Sequence, residues 1–139
     1  TWTDWSSIPE LRFKFENGLP DSVTSFDWRD TSRVALGGIY TPQGSVWSYR
    51  FGVAYDESPV RNAKSRSARL PDNDRIWFGI GAGFRPSEKL QVDVGYAHLF
   101  IDDAKIRKTA KGEDATRGAL NGSYEASVDV LSIAAQYQF

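Results

Sequence analysis

The sequence predicts an all-β protein that crosses a membrane as part of an antiparallel β-barrel. Three observations predict it. Bulky apolar residues recur with a period of two in six separate stretches, the links between the stretches alternate between short and long, and aromatic residues gather at the stretch ends.

The first stretch sets Leu11, Phe13 and Phe15 against Arg12, Lys14 and Glu16. In the second, Val34, Leu36, Gly38 and Tyr40 alternate with Arg33, Ala35 and Gly37. The third, from Val46 to Asp56, puts Trp47, Tyr49, Phe51, Val53 and Tyr55 on one face and Ser48, Arg50, Gly52 and Ala54 on the other. Ile76, Phe78, Ile80, Ala82 and Phe84 repeat the pattern against Arg75, Trp77, Gly79, Gly81, Gly83 and Arg85. Leu90, Val92, Val94, Tyr96, His98 and Phe100 oppose Gln91, Asp93, Gly95 and Ala97, and the last stretch opposes Leu131, Ile133, Ala135, Tyr137 and Phe139 to Ser132, Ala134, Gln136 and Gln138. One face is thus bulky and aromatic, the other small, polar or arginine-bearing. A soluble barrel needs the opposite, because its interior must be filled with large apolar groups. Strands of roughly ten residues also suit a tilted bilayer crossing better than the ~5–6 residues usual in soluble sheets.

Thr41-Pro42-Gln43-Gly44 and Arg85-Pro86-Ser87-Glu88-Lys89 read as tight turns, whereas Glu16–Thr24, Glu57–Asp74 and Asp102–Gly122 read as long polar loops. If the last strand ends in the periplasm at Phe139, both short turns are periplasmic and all three long loops extracellular. Trp5, Tyr40, Trp47, Phe84, Tyr137 and Phe139 then form a periplasmic aromatic girdle, and Phe15, Tyr55 and Phe100 an outer one. Asp129 has outward parity, but about ten tilted strand residues at ~3.3 Å each lift it about 25 Å, to the upper rim of the apolar band.

Composition sets the exclusions. A length of 139 residues supports one domain or part of one. Lys+Arg of 17 against Asp+Glu of 18 leaves a net charge of -1, without the positive field that draws in nucleic acid. Zero cysteines exclude disulfides, thiolate metal sites and a cysteine nucleophile. The mean hydropathy of -0.46 and the lack of any apolar run near ~18 residues exclude a membrane-spanning helix but not a barrel, whose strands average out as polar. The chain opens Thr1-Trp2-Thr3 with no basic or apolar leader, which reads as a start removed by processing or truncation.

The runs Trp28-Arg29-Asp30-Thr31, Arg33-Val34-Ala35-Leu36-Gly37, Tyr55-Asp56-Glu57-Ser58-Pro59-Val60, Leu70-Pro71-Asp72-Asn73-Asp74-Arg75, Gly95-Tyr96-Ala97-His98-Leu99-Phe100 and Tyr137-Gln138-Phe139 resemble, in order and spacing, the C-terminal part of FadL-type long-chain fatty acid transporters. That branch also includes aromatic-hydrocarbon channels. The resemblance implies a fourteen-stranded barrel of the bacterial outer membrane plugged by an N-terminal hatch, with residues 1–139 supplying the last six strands and the hatch and earlier strands missing. It implies passive movement of fatty acids or hydrocarbons through the lumen with sideways escape into the bilayer, and no enzymatic step. The terminal aromatic resembles the signal read by barrel-assembly machinery. Expected partners are outer-membrane lipid, lipopolysaccharide, a hydrophobic small molecule and the rest of the barrel; no cofactor or metal is expected.

On the lumenal parity, Arg33, Arg50, Trp77, Arg75, Arg85 and Asp93 are the candidate ligand-binding residues, with Gly79, Gly81, Gly83 and Gly95 leaving room. Arginine suits a carboxylate headgroup. Each unpaired arginine in a poorly hydrated lumen is costly, so each should find a carboxylate from the hatch, another strand or the substrate, the hatch being expected for Arg33 and Arg50. Pro71-Asp72-Asn73-Asp74-Arg75 is too short for an EF-hand loop and reads as a structural turn ahead of a strand. His98, the only histidine, has outward parity, and without a Gly-x-Ser-x-Gly motif a lipase is the lesser reading. The third loop, with Lys105, Arg107, Lys108, Lys111 and Arg117 beside four acids, reads as a solvated surface. A surface receptor or adhesion barrel acting through its loops is the alternative function.

Overall fold

The computed structural model describes residues 1–115 and 117–139. Eight strands occur: β1 (Trp2–Thr3), β2 (Glu10–Phe13), β3 (Ser22–Ser25), β4 (Thr31–Tyr40), β5 (Trp47–Asp56), β6 (Arg75–Phe84), β7 (Leu90–Lys108) and β8 (Leu120–Tyr137). A six-stranded sheet runs in the order β1-β4-β5-β6-β7-β8, and β2 and β3 form a separate two-stranded sheet. The chain divides into two compact units: Thr1–Ser32 with Glu57–Asp74 and Ile101–Ala126, and Arg33–Asp56 with Arg75–Phe100 and Ser127–Phe139.

The second unit is the sheet expected to cross the membrane. Residues Arg33–Tyr40 of β4 pair with β5 without interruption from Arg33↔Asp56 to Tyr40↔Tyr49, and β5 with β6 from Trp47↔Phe84 to Asp56↔Arg75. Because the register preserves parity, the apolar rows meet across strands: Leu36 faces Val53, which faces Phe78, and Phe51 faces Ile80. This face is bare. Leu36 is 77% exposed and Ile133 72%, and of the whole unit only Ala54 and Leu99 join the buried apolar residues. An apolar surface of that extent is stable against lipid, not water. Trp47 packs on Phe84 at 4.6 Å beside the short turns, as a girdle requires. The first of those turns is closed by Ser45 N–H on the Pro42 carbonyl at 3.0 Å, with Gly44 at φ +71°, where a side chain would be strained.

The first unit is a folded loop module with its own small core, which includes Val60, Ala104 and Ile106. Trp28 stacks on Phe26 at 4.1 Å and meets the edge of Trp5 at 5.5 Å. Arg66, only 5% exposed, donates Nε to the Asp72 carbonyl, Nη2 to Asn73 and Nη1 to the Lys105 carbonyl, tying the middle link to β7. Ser58 donates its N–H to Asp74 and its hydroxyl to Asp72, both at 2.8 Å, and Arg29 reaches Asp74 at 3.6 Å. The acids of the Pro71–Arg75 run are therefore structural, as expected, and among the described residues no cluster suits a metal.

Two expectations are corrected here. Leu11–Phe15 is no barrel strand: its first part, β2, pairs with β3 as a hairpin, and the sixth member of the large sheet is the short β1 on Thr31 and Ser32. Consequently Trp5 belongs to the Trp28 cluster rather than to the periplasmic girdle, and Phe15 to the hairpin turn rather than to the outer one. The third loop is also shorter than Asp102–Gly122, because β7 continues to Lys108 and β8 starts at Leu120. Lys111, Glu113 and Arg117 are exposed, as expected of a solvated surface, and several charges are also tied to neighbouring segments. Glu113 accepts the Ser25 N–H at 3.1 Å and hydroxyl at 2.5 Å, Arg117 donates to Thr24 Oγ1 at 3.1 Å, and Lys108 donates to the Lys64 carbonyl at 2.7 Å.

The two hydrogen bonds from Ser25 hold the Glu113 carboxyl below the usual carboxylate range. A depressed folded value contributes stability above the ordinary carboxyl pKa and loses it as pH falls through the lowered one. Intrinsic-rate-corrected amide exchange at Thr24 and Ser25 should therefore show protection at pH 6 that fades below about pH 4. Glu113→Ala should lower that protection at pH 6 and flatten its pH dependence; identical protection in wild type and variant would refute the tether.

Candidate functional site

The lumenal parity places all six predicted residues on one face of the second unit, and β4, β5 and β6 align them in rows. Arg33 lies opposite Asp56, which lies opposite Arg75; Ala35, Ala54 and Trp77 make the next row; Gly37, Gly52 and Gly79 the next; Ile39, Arg50 and Gly81 the last. The row Gly37–Gly52–Gly79 exposes peptide backbone across three strands. Beside it, Gly52, Gly79, Gly81 and Gly95 floor a recess of about 280 Å³, edged by Arg50, Asp93 and Ser132.

At the recess edge Arg50 Nη1 meets Asp93 Oδ1 at 2.6 Å. Gln91 Nε2 donates to the other oxygen of Asp93 at 2.7 Å, and Arg85 Nε donates to Gln91 Oε1 at 3.1 Å, so a chain of polar groups runs Arg50–Asp93–Gln91–Arg85. A second cluster centres on Asp56, which takes Arg75 Nε at 3.0 Å and has Arg33 Nη1 at 3.9 Å. The Arg33 guanidinium also stands 4.9 Å from the centroid of the Trp77 ring. Beneath it Trp77 Nε1 is buried and makes no hydrogen bond among the described residues.

Within this chain Arg33 and Arg50 meet carboxylates of other strands, Asp56 and Asp93. Arg50 is two strands from Asp93, close enough because the intervening Gly81 and Gly83 have no side chains. Asp56, Gln91 and Ser132 were missed. Their parity was the available signal: each stands two residues along from an inward residue already recognised, Ala54, Asp93 and Ala134 respectively.

The outward face carries a polar group as well. Tyr96 donates its hydroxyl to Asp129 Oδ1 at 2.6 Å, His98 Nδ1 lies 2.7 Å from the same oxygen, and the His98 ring packs on Phe100 at 4.3 Å. The Tyr96 hydroxyl also lies 3.5 Å from His98 Nδ1.

Glycine at two lumenal positions is separable by packing. A Cβ at Gly83 falls 2.6 Å from Ser48 Oγ and 2.8 Å from Asp93 Oδ1, whereas at Gly52 the nearest atom is 3.5 Å away. Gly83→Ala should displace the Arg50–Asp93 pair and cost about 1–3 kcal/mol by overpacking. Gly52→Ala should change stability by less than about 0.5 kcal/mol. Urea unfolding of the full-length protein in lipid measures both, and equal costs would contradict the geometry.

Comparison with known proteins gives a consistent result. The family model described as outer membrane protein transport protein (OMPP1/FadL/TodX) matches residues 1–139. An outer membrane protein of Neisseria meningitidis serogroup B is 34% identical over 148 residues, covering 100% of this chain and 32% of that protein. A long-chain fatty acid transport protein of Escherichia coli O6:H1 is 37% identical over 105 residues, covering 76% of this chain and 23% of that protein. A crystal structure of a Pseudomonas aeruginosa FadL homologue superposes with a TM-score of 0.85 at 31% identity, over 98% of this chain and 30% of that one. The chain therefore spans a third or less of the length of these relatives.

Proposed function

Since the chain belongs to the OMPP1/FadL/TodX family of outer-membrane proteins, we propose that it forms one wall of a barrel that passes hydrophobic molecules, long-chain fatty acids or aromatic hydrocarbons, passively across the bacterial outer membrane. The observation that carries the reading is the glycine-floored recess on the lumenal face. A recess of bare backbone accepts an apolar body without demanding a particular shape. The two bare sheet edges, along β8 and along Arg33–Tyr40 of β4, support closure by further strands, because lipid cannot satisfy unpaired backbone groups.

In this proposal the lumenal arginines line the path rather than grip the substrate. Arg50 already has Asp93, and Asp56 serves Arg33 and Arg75, so their charge is balanced locally. Trp77, Arg85 and Asp93 complete the lining. Sideways release belongs to strands other than β4, β5 and β6, whose registers run unbroken.

The test is uptake of labelled oleate and of toluene by cells carrying the full-length protein. Gly52→Trp, which fills the recess, should reduce both several-fold with the protein still in the outer membrane. Arg50→Ala should affect both substrates alike; loss of oleate uptake alone would show that Arg50 binds the headgroup instead. If deletion of the protein changed neither, the loop module, with its own core, would point to the surface-receptor function.

A further inference from the structure

The first unit does not treat its cations alike. Arg12, Arg29, Arg61, Arg66 and Arg117 each hold a carboxylate, a carbonyl or a hydroxyl. The side chains of its other two arginines, Arg69 and Arg107, have no such partner among the described residues. The link from Ser58 to Pro71 carries Arg61, Lys64, Arg66 and Arg69 and no acid. It is fastened to the upper part of β7 at two points: the Arg107 N–H donates to the Ala63 carbonyl at 2.8 Å, and Arg66 donates to the Lys105 carbonyl. A third contact runs from Lys108 Nζ to the Lys64 carbonyl at 2.7 Å. Ala104 and Ile106 are buried in the core of this unit, so Lys105 and Arg107, of the opposite parity, point away from it and are exposed. Lys64, beside Ala63, is exposed as well, and neither lysine side chain has a partner among the described residues. Asp103 shares the parity of Lys105 and Arg107, which leaves three cations against one carboxylate.

Lys105 and Arg107 stand two strand residues apart, about 7 Å, which is within a Debye length at physiological salt. Like charges at that spacing repel one another and favour an anion shared between them. Arginine grips a phosphate with two parallel hydrogen bonds, while lysine supplies a point charge. With the long links on the outer side of the membrane, as the loop lengths predict, the anion at hand is lipopolysaccharide, whose inner sugars carry several phosphates. We propose that Lys64, Lys105 and Arg107 bind the phosphates of lipopolysaccharide and fasten the loop module to the leaflet around it. The proposal rests on that orientation and is independent of what passes through the lumen.

The experiment is native mass spectrometry of the full-length protein equilibrated with equimolar rough lipopolysaccharide and its dephosphorylated form. The wild type should retain the phosphorylated form about fivefold over the other, the upper range for one exposed charge pair. Lys105→Gln with Arg107→Gln should abolish the preference, and Lys64→Gln should lower it part of the way. Lys14→Gln with Lys111→Gln removes the same charge from exposed positions outside the row and should leave the preference unchanged. Equal retention of the two forms by the wild type, or a preference that survives the Lys105 and Arg107 changes, overturns the proposal. So does an equal loss in the Lys14 and Lys111 variant, because net charge and not the row would then be read. An excess of inorganic phosphate should not displace the lipid; displacement would mark a site for any small anion and overturn the lipid assignment. If the Lys105 and Arg107 variant fails to assemble, Lys64→Gln decides, and an undiminished preference there overturns the proposal. Oleate uptake should be unchanged in the Lys105 and Arg107 variant, which separates this result from the transport reading; a fall in uptake with lipopolysaccharide retention intact would put the row on the transport path instead.

Discussion

A peptide N–H inside a bilayer finds no water to bond, and that constraint shapes everything in the second unit. It requires each strand to be paired along its length, which the continuous registers of β4, β5 and β6 provide. Full pairing in turn enforces the period of two, since any inserted residue would throw the following side chains onto the wrong face. The two faces can then be specialised: one carries the large apolar groups against lipid, and the other is free to be small, polar and charged. The small buried core of this unit follows from the same cause, for a sheet solvated by lipid has no need to bury its apolar face against protein.

Charge on the lumenal side is handled by pairing across strands. Arg50 reaches past the glycines of β6 to Asp93, and Asp56 is shared between Arg33 and Arg75. Such pairs keep guanidinium groups in a confined space without an unmatched charge, which is where the greater cost would lie. The loop module follows a different logic. There a buried arginine, Arg66, bonds chiefly to backbone carbonyls and so holds irregular segments that have few ladder hydrogen bonds of their own. Burial lowers the Arg66 pKa from its ordinary value, yet a guanidinium remains charged through any accessible pH.

Period-two alternation made β4 to β8 legible in the sequence, along with the shared face of Arg33, Arg50, Arg75, Trp77, Arg85 and Asp93. It misled at Leu11–Phe15, because a two-stranded hairpin alternates just as a barrel strand does and only its partner, Ser22–Ser25, distinguishes them. It also ended too early at Phe100. Beyond that point the small and apolar residues Ala104 and Ile106 turn to a protein core and the residues between them are charged, so the rhythm continues with its polarity changed. Asp56 escaped notice as an inward acid because it stands last in its strand, where parity is easily taken for the start of a loop. The Tyr96–His98–Asp129 group joins residues more than thirty positions apart in the sequence, and no local pattern foretells which of them will touch.

The row of glycines on the lumenal face has a kinetic side. In the path proposed above, peptide backbone already committed to its own ladder has little left to offer a passing molecule, so contact with Gly37, Gly52 and Gly79 would be shallow and short-lived. Dwell time at a site scales with the depth of its well, and for movement down a gradient a deep well is a trap. Smoothness, more than affinity, is what such a wall contributes: each omitted side chain removes a foothold, and a molecule that finds no foothold keeps moving.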